Sequence, residues 1–173
     1  MELLELLRKR RSIRKYTGEK IPEDKLEKIL QAGLLAPSSR GIYPVELSVV
    51  RDRETLAKLS RCKAGGSAML ALADAAVIAA GDTAKSDAWI EDCAITMTLM
   101  QLEAAEQGVG SCWVQCRGRT SPDPDIGTES CIRALTGIPE NFGVLAVLSL
   151  GMPAETPATR ETPDTECGRV HRI

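Results

Sequence analysis

Three stretches of this 173-residue chain carry side chains that could do chemistry. The first is Arg10-Arg11-Ser12-Ile13-Arg14, where guanidinium groups and a hydroxyl crowd together just past a short helical pattern. Arginine offers forked N–H donors that match phosphate, so this segment can grip an anion. A solvated basic helix end that satisfies the helix dipole is the alternative. The second stretch is Ala36-Pro37-Ser38-Ser39-Arg40-Gly41, a loop whose hydroxyls and glycine can approach a planar ligand closely. A plain helix stop at the proline accounts for it equally well. The third is Gly108-Val109-Gly110-Ser111-Cys112-Trp113-Val114-Gln115, two glycines leading straight into a strand. No G-x-G-x-x-G follows a strand and no G-x-x-x-x-G-K-[ST] occurs, which removes the usual dinucleotide-fold and P-loop readings.

Composition narrows the chemistry further. The six cysteines, at 62, 93, 112, 116, 131 and 167, form no C-x-x-C pair, so a zinc or iron–sulfur site has little support. Buried free thiols are the simpler reading, with Cys112 and Cys116 the two close enough in sequence to lie near a site. The single histidine, His171, sits almost at the end, a poor place for a hydrolytic triad. A net charge of −2 gives no global attraction to nucleic acid or anionic membranes, and 3% aromatic residues leave few stacking platforms for single strands. The longest apolar stretch, from Met69 to Ala80, is broken by Asp74, and the amino end lacks a basic-then-apolar leader. The expectation is a cytoplasmic protein with no membrane segment.

The elements that must position these stretches follow from periodicity. A short helix is expected over 2–11, with Leu3, Leu4 and Leu7 on one face and basic residues at its end. A second helix starts near Pro22 and is stopped by Pro37. Val45, Leu47 and Val49 alternate as a strand to about Val50, and 53–60 is helical. Ala75 to Ala80 is a buried central strand. The longest helical pattern, 88–107, is apolar on most sides and reads as the spine of a domain or of a dimer, with Gly108 as its stop. A strand over 111–116, a short helix over 129–135 and a last strand over 144–150 complete the domain. The order lacks a regular βα rhythm, so the fold class is α+β in three layers, one domain over 1–173. Residues 152–173 form an arm without periodicity, expected to wrap a partner subunit.

Taken together, three segments resemble the nitroreductase family: "RRSIRKYTGEKIPEDKLEKILQAGLLAPSS", "WIEDCAITMTLMQLEAAEQGVGSCWVQCRGR" and "GIPENFGVLAVLSLGMPAE". The likeness runs from residue 8 to about 155. It implies a mixed, mainly antiparallel sheet with helices in an intertwined homodimer that holds FMN at the subunit interface. By the resemblance, Arg10 and Ser12, with Arg11 beside them, hold the FMN phosphate end, and Arg14 faces the pyrimidine edge of the flavin. Pro37, Ser38 and Ser39 come from the other subunit and line the ring. The backbone near Val114, Gln115 and Cys116 runs along the flavin, and Gly151 with Arg169 completes the phosphate pocket. The chain departs from the commoner family pattern at Gly41, Tyr43 and Val45, where Asn, Gln and Trp are frequent, and keeps the proline at Pro44.

The implied function is an FMN-dependent oxidoreductase, with NADH or NADPH reducing the flavin and a nitroaromatic, quinone or similar small acceptor reoxidising it in a ping-pong cycle. The cofactor carries the chemistry, so no catalytic side chain and no metal are required. A flavin-binding sensor or storage protein without turnover would use the same residues. A nucleic-acid-binding domain using Arg8 to Arg14 with Arg117 to Arg119 is a third reading, opposed by the overall charge.

Overall fold

The computed structural model describes residues 2–173. Its elements in chain order are α1 (Leu3–Lys9), α2 (Glu23–Leu34), β1 (Val45–Val50), α3 (Arg53–Leu59), β2 (Ala75–Asp82), α4 (Trp89–Glu106), β3 (Gly110–Gln115), α5 (Thr128–Thr136) and β4 (Phe142–Gly151). Short 3-10 turns at Ser39–Gly41 and Ala68–Leu72 join them. Every strand and helix expected from periodicity is present, within two residues at most boundaries.

The four strands form one sheet in the order β1-β2-β4-β3, and every neighbouring pair is antiparallel. The two central strands, β2 and β4, are buried along their whole length. Alternation therefore sends their side chains into two separate cores. Val77, Ala79, Leu148 and Leu150 face α2 and α4, where Leu26, Ile29, Met97 and Met100 meet them. Ile78, Ala80, Val144 and Val147 face the other way, toward Leu56 and Leu59 of α3 and Ile132 of α5. This is the three-layer α+β arrangement, helices over both faces of an antiparallel sheet. A register shift between Ala79 and Ala80 marks a β-bulge against β4.

Helix α4 packs on the sheet through Cys93, Met97, Met100 and Ala104, a 3.6-period stripe that is fully buried. Its amino end comes so close because the strands beneath are bare there. A methyl group on Gly81 would meet the Trp89 Cβ at 2.8 Å, and one on Gly143 would overlap the Trp89 ring. The opposite side of α4 is apolar too, with Ile95 39% exposed. Leu3, Leu4 and Leu7 do share one face, but α1 buries none of its residues within the chain. Among the described residues no helix is long and apolar enough to cross a membrane.

The Trp89 seat generates a prediction. Gly143→Ala drives a methyl into the Trp89 indole, which must shift to admit it, and overpacking of this kind costs about 1–3 kcal/mol. Urea unfolding of the two proteins checks it: the midpoint falls while the slope stays the same.

Candidate functional site

The segment after α1 is laid across one end of the sheet. Ser12 bridges in parallel to Ser111 at the start of β3, and the Ile13 N–H donates to the Ser111 carbonyl at 2.9 Å. Two glycines make the crossing possible. A methyl on Gly110 would meet Ile13 Cγ2 at 2.8 Å, and one on Gly151 would meet the Tyr16 ring at 2.6 Å. Gly151 thus makes room for Tyr16. The Tyr16 hydroxyl lies 2.9 Å from both the Ile13 carbonyl and Ser149 Oγ. Burial pushes that phenol above its usual pKa, so it stays protonated.

The tail continues from β4 directly over this segment. Thr17 N–H donates to Met152 O, Ala154 N–H to Lys15 O and Arg160 N–H to Arg8 O. Glu155 accepts from the N–H groups of Arg14 at 2.7 Å and Lys15 at 3.2 Å. The Arg11 guanidinium donates to the Ala158 carbonyl. Residues 152–160 are therefore tied antiparallel to residues 8–17 of their own chain, and no such pairing among the described residues holds the exposed stretch 161–173.

This stitching gathers cations. Arg10 is partly buried, and its one side-chain hydrogen bond among the described residues runs 3.3 Å to Gln101 Oε1 on α4. No carboxylate pairs with it among the described residues. Burial first, then the charges of Arg160 and Arg11, lower its pKa. A desolvated guanidinium pressed by two others is a place that favours an anion. Arg14 and Lys63 stand close by, since the Cys112 thiol, raised chiefly by burial, feels the opposing charges of Arg14, Lys63 and Arg10.

Strand β3 has an open outer edge beside this cluster. The Ser111 carbonyl faces outward to Ile13, whereas the Cys116 N–H turns inward to Leu145 O at 3.0 Å. Alternation then aims the N–H groups of Trp113 and Gln115 outward and turns that of Val114 toward β4. Val114 also buries its side chain beneath the sheet. The Gln115 side chain is engaged at both ends, accepting from Trp113 Nε1 at 2.9 Å and donating to Arg117 O at 3.1 Å. The donors that a ligand along this edge would meet are backbone ones, those of Trp113 and Gln115.

Pro37, Ser38 and Ser39 lie elsewhere. Their loop sits at the amino end of α4, where buried Asp92 accepts from the Ser39 N–H at 2.8 Å and from Ser38 Oγ at 3.3 Å. Asp92 and Gln101 are nine positions apart on one helix, roughly 14 Å at 1.5 Å per residue. One chain thus brings Arg10, Arg11, Ser12, Arg14 and Gly151 together with the β3 edge, and holds the serine loop well away from them. Arg169 lies on the exposed tail, where its hydrogen bond lowers the pKa of the Cys167 thiol. The tail arginine whose charge reaches Arg10 is Arg160. Sequence reasoning did not single out Arg160, Lys63, Gln101 or Asp92. None has a local signature: Asp92 reads as an ordinary acid in a helix's first turn.

The buried thiols are poor nucleophiles. Burial pushes Cys62, Cys93 and Cys116 up to about 12. No group of acidic, histidine and cysteine side chains fit to hold a metal ion occurs among the described residues.

The domain is thus an antiparallel α+β fold with an arginine-rich segment and an open backbone donor edge at one end of its sheet. The sequence matches the nitroreductase family over residues 7–67 and 61–152. It is 37% identical to an NADH dehydrogenase/NAD(P)H nitroreductase of Archaeoglobus fulgidus, covering 99% of this chain and 97% of that protein. The fold matches that of an FMN-dependent nitroreductase from Clostridium difficile R20291, with a TM-score of 0.94, 40% identity and 98% of each chain covered. It also matches a nitroreductase with bound FMN from Bacteroides fragilis NCTC 9343, with a TM-score of 0.77 and 28% identity, over 100% of this chain and 99% of that one. This chain belongs to the nitroreductase family.

The stitched tail has a pH signature. The Arg14 N–H foremost, then that of Lys15, holds the Glu155 carboxyl below its ordinary 4.5. A depressed carboxyl stabilises the folded pairing above its ordinary value and loses that contribution as pH falls through the lowered one. Amide protection over 14–17 and 152–160, taken as the exchange rate relative to the intrinsic rate at each pH, is expected to hold from neutral pH down to the ordinary value and to fall on further acidification. Glu155→Gln, which keeps an acceptor oxygen but cannot titrate, flattens that profile.

Proposed function

We propose that this chain is a cytoplasmic, homodimeric FMN-dependent oxidoreductase that takes electrons from NADH or NADPH and passes them to a nitroaromatic, quinone or similar small acceptor by a ping-pong cycle. The observation that carries it is the half-buried Arg10 guanidinium, held among like charges with no carboxylate partner, beside an open strand edge. The donor set fits FMN. Arg10, Arg11 and Ser12, with Arg160 from the tail, suit a terminal phosphate. Arg14 and Lys63 place positive charge near the start of β3, suited to the electron-rich edge of a flavin. The outward N–H groups of Trp113 and Gln115 offer donors along the ring. Bound FMN supplies the hydride and electron transfer; the chain's residues bind it, orient it and keep one face accessible.

Support for the dimer comes from what one chain leaves uncovered. Leu3 and Leu4 of α1 are 61% and 59% exposed, Leu34 and Leu35 at the end of α2 are 66% and 82% exposed, and Ile95 stands on the outer face of α4. Apolar surface in that quantity marks a subunit interface. A second chain would also bring its Pro37, Ser38 and Ser39 to a site that this chain's own loop does not reach, with residues 161–173 free to embrace the partner. Buried free thiols at 62, 93, 112 and 116 suit a reducing compartment.

An absorption spectrum of the purified protein is expected to show oxidised flavin, or to do so after FMN is added and excess removed. A protein that stays colourless ends the proposal. Arg10→Ala removes a charge-assisted phosphate contact, so FMN binds about 10–100-fold more weakly by fluorescence titration, with the melting temperature of the flavin-free protein little changed. Ile95→Arg puts a charge on the uncovered face of α4, and sedimentation should show monomers that no longer retain FMN. Steady-state oxidation of NADH with a nitroaromatic separates turnover from mere storage of the cofactor.

A further inference from the structure

The loop between α2 and β1 holds an uncommon backbone. Arg40 and Tyr43 both lie in the left-handed region, with φ of 55° and 52°. Neither is glycine, and a bulky aromatic residue there is a true outlier. Such a conformation persists only where surrounding contacts over-determine it, and it gathers at functional sites.

The contacts that do so converge on one carboxylate. Asp92, 2% exposed, sits in the first turn of α4 and accepts from the Ser39 N–H and the Ser38 hydroxyl. That hydroxyl in turn accepts from the Tyr43 N–H at 2.9 Å. A continuous chain of hydrogen bonds thus runs from the long helix through Ser38 to the strained residue. At the loop's outer edge the Arg40 guanidinium pairs with Asp87. Asp92 and Tyr43 together line a cavity of about 60 Å³ with Ala36, Pro37, Val45 and Thr96. The Ser38 hydroxyl is committed to this chain, so the loop presents Ser39 and Tyr43, not Ser38, to its surroundings. Tyr43 is 65% exposed.

We infer that Asp92 is a positioning residue: through Ser38 it holds the Pro37–Tyr43 loop in a strained shape that fits the acceptor-binding face of the partner's flavin. The inference rests on the functional reading above. It assigns Asp92 no contact with cofactor or acceptor. It acts by holding the backbone, and its charge matters only as a strong double acceptor.

The test uses amide hydrogen exchange over 36–44 in the flavin-free protein, and the KM and kcat for 4-nitrobenzoate in the FMN-loaded dimer. Asp92→Ala is expected to speed exchange in this loop about tenfold or more, with little change elsewhere. In the loaded enzyme it raises the acceptor KM about 5–10-fold and leaves kcat within about twofold. Asp92→Asn keeps an acceptor for the Ser39 N–H but loses the one for the Ser38 hydroxyl, so it falls between the parent and the alanine variant in both readouts. Tyr43→Gly suits a left-handed backbone, so adding it to Asp92→Ala restores slow exchange. Should Asp92→Ala not fold, Ser38→Ala breaks the same chain one link on and gives the same expectation. Unchanged exchange in Asp92→Ala or Ser38→Ala, or an Asp92→Asn as damaged as the alanine variant, overturns the inference. Exchange that responds as expected in a protein that neither binds FMN nor oxidises NADH overturns the functional reading, and the acceptor role with it, while the latch stands.

Discussion

The architecture of the site depends on one crossing: residues 12–16 pass over the ends of β3 and β4, pinned by the Ile13 N–H on Ser111. Two absent side chains permit it. At Gly110 the space goes to Ile13, and at Gly151 to the ring of Tyr16. With the segment pinned there, Arg10 is drawn against α4 and half-desolvated, and residues 152–160 find a backbone to pair with. An arginine run that would otherwise be a solvated helix end becomes a cluster in which the half-buried Arg10 has no carboxylate partner among the described residues. The bare backbone at Gly151 gives its space to an aromatic ring, and that ring helps to anchor the segment that carries the arginines.

The long helix α4 links this crossing to the rest of the molecule. One of its faces is a stripe of Cys93, Met97, Met100 and Ala104 buried on the sheet, and another carries uncovered apolar side chains. At its amino end Asp92 receives the serine loop; at its far half Gln101 receives Arg10. These two stations are separated along one rigid element, so within one chain the serine loop does not reach the arginine segment, and in the proposed dimer each chain would supply one of the two to a shared site. A twofold arrangement of two such helices is the simplest way to bring the halves together, and the apolar outer face of α4 is the surface it would use.

Much of the fold was legible because its signals are local. The alternation in 45–50, the unbroken apolar runs at 75–80 and 144–150, and Pro22, Pro37 and Gly108 as punctuation each act within a few residues. The candidate cluster at 10–14 was legible for the same reason, since several guanidiniums in so short a span stand out in any background. What stayed hidden was made by contacts across long stretches of chain. Arg160 meets Arg8 from the far end of the sequence, Lys63 reaches β3 from the loop after α3, and Asp92 has the composition of an ordinary helix start. Arg169, chosen as a basic residue of the tail, lies on the exposed part beyond the pairing.

By itself the sequence determined the order and type of the elements, the class of fold and the presence of an anion-seeking segment, because side-chain period, proline, glycine and charge density act locally. Only the tertiary structure decided which peptide groups of β3 face outward, which hydroxyls are already spent on the protein, and which arginine is left without a partner. Those depend on strand pairing and on the path of the tail, where a shift of one residue in register would exchange every inward and outward group.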